Sequence, residues 1–182
     1  MAEKIVSHSK WRLITGGAIG EGDGKTKGGV DFHAALGAQR FLNDPLLESQ
    51  QILTILPHKE AKDVFKIGEV IIDEARNIQD RRKKLVARAD AIITVEGGQG
   101  TIDIVRFAIG SSIPIIPLGG TGGKSKEVWD IEEFRNTIPR LLDISISDDC
   151  LRIIKEEIDL PELAVDNCLK IIEKIFCGGV NK

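Results

Sequence analysis

Short apolar runs that break off into glycine constrain this chain more than any other feature. The clearest lies in ITVEGGQGTIDIV, residues 93–105. Around it AIITVEG, 91–97, shows no alternation of apolar and polar residues, which predicts a strand buried on both faces, as in a parallel sheet. Parallel strands need long crossovers, and helices normally supply them. WRLIT, 11–15, ends in Gly16 and Gly17, and IPIIPLGG runs into a glycine turn at 119–123. QILTILP, 51–57, is a further apolar strand closed by Pro57. Helical spacing recurs between them: DFHAALGAQRFL at 31–42, NIQDRRKKLVARA with Ile78, Leu85 and Ala89 on one face, and a helix from Thr101 that Gly110 stops. Residues 59–76 stay ambiguous, because VII at 70–72 is β-branched amid helix-like neighbours. The segment 138–182 reads as helical, with Ser147 as an N-cap and Pro161 opening a last helix whose Val165, Cys168, Leu169, Ile172 and Phe176 share a face. Strands alternating with helices predict an α/β, Rossmann-like open and mainly parallel sheet with helices on both faces.

Composition narrows the partners. A length of 182 residues suits one domain, 1–182. With 25 basic and 28 acidic residues the net charge is -3, so bulk attraction to nucleic acid or an acidic membrane is not expected. Cys150, Cys168 and Cys177 lack metal or disulfide spacing, and no metal site is expected. No run of about 18 apolar residues and no leader core is present, so the reading is a cytoplasmic chain.

The glycine turns carry the chemistry. Ligands of parallel sheets sit beyond the carboxyl ends of the strands, and here GGAIGEGDG, EGGQG and GGTGG all fall there. Glycine lets consecutive N–H groups point into one concavity, and a following helix adds its positive dipole end. Neither common fingerprint applies. GGTGGKS at 119–125 lacks the first glycine of a P-loop, and EGGQGT places its glycines as GGxG rather than GxGxxG.

DRRKKLVARADAIITVEGGQGT, 80–101, resembles the SLOG superfamily, which groups Lonely Guy phosphoribohydrolases with DprA-like proteins and nucleotide-sensing domains of bacterial immunity. Arg81 and Arg82 stand before Ala89 and Asp90 as in that signature, and GGxGT is Gly97 to Thr101. LITGG, ILTILP and IPIIPLGGTGG extend the likeness over most of residues 10–125. The resemblance is closest to the sensing branch called STALD, found with sirtuin-like or TIR domains. It implies a domain that binds an adenine nucleotide or ADP-ribose derivative, such as a cyclic ADP-ribose-like signal, and regulates a fused or separate effector in antiphage defence, as a homo-oligomer. It also implies a first strand ahead of residue 1, so the chain is expected to be completed from outside, to be a segment of a longer protein, or to have a mis-set start.

Two substitutions separate the chain from the hydrolase signature. The signature's glutamate falls at Ile104, with Asp103 one place early and about 100° away around the helix. Its proline falls at Glu96, an acid suited to a ribose hydroxyl or a base amine. The expected ligand contacts are therefore Gly16, Gly17, Gly20, Gly22, Arg81, Arg82, Glu96, Gly97, Gly98, Gln99, Gly100, Thr101, Asp103, Gly119, Thr121, Gly122 and Lys124. No catalytic residue and no resident cofactor are expected. The alternative is a Lonely Guy-type enzyme cleaving the N-glycosidic bond of nucleoside monophosphates, and a DprA-like nucleic-acid binder is a weaker third. Asp23 and Asp31 near the first glycine loop read as turn or helix-start residues ahead of ribose contacts, and Lys25 and Lys27 within it read as solubility residues as readily as ligand contacts. Trp129 is expected to pack a short helix against the body.

Overall fold

The computed structural model describes residues 1–8, 10–19, 29–58, 62–137, 148–156 and 161–177. Gly20, Gly22, Asp23, Lys25, Lys27 and Ser147 lie outside them. The chain forms two compact units, Met1–Arg88 and Ala89–Lys182.

The first unit holds a parallel sheet of β1 (Leu13–Thr15), β2 (Ile52–Leu56) and β3 (Glu69–Ile72), with β2 in the middle. Leu13 aligns with Ile52 and Leu53 with Glu69. All five residues of β2 are buried, as its unbroken apolar run predicts. The ambiguous stretch resolves as β3, because Val70, Ile71 and Ile72 are β-branched and Gly68, at φ +77°, breaks any helix before them. Gly68 is obligatory: a Cβ there would stand 2.3 Å from the Ile52 carbonyl oxygen. Helix α1 (Ala2–Val6) and α2 (Val30–Leu42) cover β1 and β2 through Ala2, Val6, Ala35 and Ala38, with Phe65 and Ile67 closing the core.

A helix absent from the sequence reading, α3 (Pro45–Gln51), precedes β2. Its signal is local: the Asp44 carboxylate accepts the Leu46 N–H at 2.7 Å, and Pro45 occupies the first turn. Helix α4 (Ile78–Ala87) starts at Asn77, whose side chain caps Asp80 N–H. Its buried residue is Val86, whereas Ile78 is exposed and Ala89 falls beyond the helix. The expected face of Ile78, Leu85 and Ala89 is thus rotated.

The second unit pairs β4 (Ile92–Val95) in parallel with β5 (Ile115–Leu118), in register Ile92 to Ile115. Helix α5 (Gln99–Gly110) lies between them in sequence and buries Ile102, Val105 and Ala108. Glycine turn 119–123 becomes a short 3-10 turn and then α6 (Gly123–Glu127). The helices Asp148–Lys155 and Pro161–Cys177 pack on each other and against β5. On the last helix Cys168, Ile171 and Ile172 are buried while Phe176 is exposed, so the apolar stripe sits one step round from the expected one.

Candidate functional site

In the first unit, the turn after β1 is buried and held by side chains. Asp31, in the first turn of α2, accepts the Gly16 N–H on Oδ2 at 3.0 Å, and Arg81 of α4 donates through Nη2 to the Gly16 carbonyl. One glycine therefore carries a carboxylate on its donor and a guanidinium on its acceptor. A Cβ at Gly16 would lie 3.1 Å from Arg81 Nη2 and 3.2 Å from Asp31 Oδ2. Gly17, at φ +71°, is equally confined, since a Cβ would stand 2.6 Å from Leu56 Cδ2. Beyond it Ala18 bridges Val64, and Ile19 N–H reaches the Asp63 carbonyl.

Arg81 is half-buried, and its Nε lies buried with no acceptor among the described residues. Burial pushes the guanidinium down from its ordinary value, Asp31 pushes it back up, and Arg82 adds to the lowering. Asp31 keeps an exposed surface, yet desolvation of its carboxyl against the turn raises it above its ordinary value, opposed by the Gly16 hydrogen bond and then by Arg81. Of the neighbouring basic residues, Lys84 and Arg88 are committed to Asp73, at 3.0 and 2.9 Å. The basic face of α4 is thus partly a structural clamp, and Arg81 is the cation it brings to the glycine turn.

In the second unit the turn after β4 is exposed from Glu96 to Gln99. Helix α5 begins at Gln99 and not at Thr101, with Gly98 as N-cap and no side chain capping it. Thr101 is consequently the third helical residue. A capping box between Thr101 and position 104 does not arise, so Ile104 has no capping role to explain its departure from glutamate. Asp103 and Ile104 are both half-buried on the helix.

The two glycine turns of this unit are cross-braced. Glu96 N–H donates to Thr121 Oγ1 at 2.8 Å, and Thr121 Oγ1 donates to the Leu118 carbonyl at 2.6 Å. The Glu96 carbonyl accepts both the N–H and the hydroxyl of Ser125, each at 2.8 Å, and Gly97 O accepts Lys124 N–H at 3.0 Å. Ser125 is fully buried. Glu96 is held at φ +49°, a left-handed conformation that costs a non-glycine residue roughly 1–2 kcal/mol. Proline, the residue of the hydrolase signature, could neither adopt that φ nor donate to Thr121. Gly97, at φ +87°, is filled from below by Thr101, whose Oγ1 would lie 2.0 Å from a Cβ. Gly98 differs: its φ is -109° and, among the described residues, nothing lies within 4 Å of its missing side chain.

The remaining expected residues have mixed placements. Gly100 and Gln99 open α5, and Gly122 precedes α6. The Lys124 ammonium pairs with Glu127 at 2.5 Å. Gly119 is needed for packing, because a Cβ would meet Lys155 O at 2.4 Å and Trp129 Nε1 at 2.9 Å. Trp129 packs as expected: its indole N–H donates to the Pro117 carbonyl at 3.1 Å and its ring meets the edge of Phe134. Beside it a cavity of about 300 Å³ is lined by Gly119, Gly120, Gly122, Trp129, two lysines and two acids, Lys126, Lys155, Asp130 and Glu156. Sequence reasoning missed Ser125 and gave Asp31 no connection to Arg81. A serine directly after GGTGGK is visible locally, whereas a contact across fifty residues leaves no local signal.

No protein-family model matches the chain, and no curated protein does. Among solved structures it is similar to the X-ray structure of TM1055, a structural genomics target, with 21% identity and a TM-score of 0.55. The match covers 71% of this chain and 65% of that one, so the chain spans a little under two thirds of the length of TM1055. The likeness establishes a Rossmann-like α/β fold. At the level of fold, this agrees with the SLOG resemblance. No helix among the described residues is long and apolar enough to cross a membrane.

Proposed function

We propose that this chain is a nucleotide-sensing domain of SLOG type that binds an adenine nucleotide or ADP-ribose derivative and acts on a partner or fused effector, as in bacterial antiphage defence. The observation that carries the reading is the uncapped start of α5. Gly98 gives the helix no side-chain cap, although its carbonyl accepts the Thr101 N–H at 2.9 Å; its own conformation needs no glycine, and among the described residues no atom lies within 4 Å of where a side chain would begin. Glycine suits an N-cap, and here it also leaves room for another molecule to approach the backbone closely; a helix N-terminus favours an anion such as phosphate. Exposed Glu96 beside it supports a sugar hydroxyl or base amine as the adjoining group. Taken by itself, the first unit offers an anion the Arg81 guanidinium at the Gly16 turn, with donors suited to phosphate oxygens.

A signalling role follows from differential binding: the ligand controls only those states, of a homo-oligomer or of an effector complex, that it binds unequally. Cleavage is not part of the proposal, because Ile104 offers no carboxylate. Thermal-shift measurements with AMP, ADP-ribose, NAD and cyclic ADP-ribose isomers test the reading. A ligand present at 100 times its Kd stabilises the folded state by about 2.7 kcal/mol. No shift with any of the four would remove its main support, and release of free base would replace it with the hydrolase reading.

A further inference from the structure

The carboxylate at the first glycine turn has no part in the reading above, and its position gives it one. Arg81 and Asp31 meet the two ends of the same residue: Nη2 at the Gly16 carbonyl, Oδ2 at the Gly16 N–H. Both atoms lie within 3.2 Å of the point where a Gly16 side chain would begin. Those two distances keep the guanidinium nitrogen and the carboxylate oxygen within about 6.3 Å of each other, near enough for each charge to act on the other. A phosphate drawn to Arg81 therefore arrives beside a second negative charge, and like charges at that range disfavour each other's ionised form.

We propose that an anionic ligand and Asp31 compete for the Arg81 guanidinium, so that the anion binds together with a proton taken up by Asp31. This rests on the reading that Arg81 meets the ligand's phosphates. The proton comes from solvent, which reaches the exposed side of Asp31, while Oδ2 keeps its bond from Gly16 and holds the turn in place. The charged and titratable groups on the elements around Asp31 are Arg81 and Arg82 of α4, His33 on its own helix, Glu3 and Lys4 of α1, and Glu48 of α3. Among the described residues, the charge that acts on it is that of Arg81. Desolvation already lifts the Asp31 carboxyl, so a nearby anion carries it further in the same direction. The consequence is a ligand affinity that rises as pH falls, by at most about tenfold per pH unit for one proton.

ADP-ribose is the probe, because its diphosphate does not itself titrate between about pH 5 and pH 8, the range that linkage makes accessible. Titration calorimetry in buffers of different ionisation enthalpy counts the protons taken up on binding. The expected result is uptake by the natural chain, lost in Asp31→Asn, which keeps the acceptor for Gly16 and binds with a flat pH profile. Arg81→Ala is expected to weaken binding at least about tenfold, the loss of a charge-assisted contact. Weakened binding in Arg81→Ala with no proton uptake by the natural chain overturns this inference and leaves the Arg81 reading standing. Unchanged affinity in Arg81→Ala, or no binding of ADP-ribose at all, overturns both. Should Asp31→Asn fail to fold, the proton count on the natural chain alone decides the matter.

Discussion

The two glycine turns written most alike, GG after β1 and GGQG after β4, are built on opposite terms. The first is buried: Gly16 is tied at both ends by Asp31 and Arg81, and Gly17 fits under Leu56 and Thr54. The second is exposed from Glu96 to Gln99, and Gly97 in it is demanded by its surroundings, through Thr101. Gly98 beside it has an ordinary φ and open space. The same letters thus mark a fitted joint in one unit and an open landing in the other.

Substitution breaks or sharpens this contrast. The largest effect is expected at Gly17→Ala. Overpacking costs about 1–3 kcal/mol and a left-handed alanine roughly 1 more, so urea unfolding of that variant should show a loss of about 2–4 kcal/mol. Ser125→Ala comes next. It removes a buried hydroxyl from the Glu96 carbonyl and is expected to cost about 1 kcal/mol by the same measurement, with nucleotide affinity falling as the left-handed turn loosens.

Asp73 gives a smaller, pH-dependent effect. Lys84 and then Arg88 hold its carboxyl below the ordinary value, so its stabilisation is present above the unfolded carboxylate pKa and is lost as pH falls through the lowered one. Asp73→Asn should cost up to about 1 kcal/mol at neutral pH, as for exposed ion pairs, and nothing in strong acid, where the natural chain has lost the same term. A difference that persists in acid would show that the site acts through packing instead. The smallest stability change has the opposite sign. Gly98→Ser supplies the missing cap and should stabilise the fold by a few tenths of a kcal/mol while blocking the anion. Unimpaired nucleotide binding in Gly98→Ser would erase the contrast between the two turns.

Strand positions were legible because burial on both faces leaves an unbroken apolar run, as in β2 and β5. Helix ends were less so. Gly100 within the first turn of α5 disguised its start, and the charged surface of α4 concealed that Val86, not Ile78, is its buried residue. The phosphate-turn pattern was readable, but its division of labour was not, since it depends on contacts at long sequence range. Asp31 and Arg81 are fifty residues apart and meet only through Gly16. Glu96 likewise gives no hint in sequence of a left-handed backbone, which Thr121 and Ser125 impose from the following strand's turn.

The chain has two tryptophans, and each unit holds one. Trp11 stacks on His8 with ring centres 4.2 Å apart, whereas Trp129 is buried against the Gly119 turn with its indole N–H on Pro117. Trp11→Phe and Trp129→Phe therefore leave single fluorophores in unlike surroundings, one for each half. Emission from the two variants, followed through one denaturation series, gives each unit its own unfolding curve without any added label.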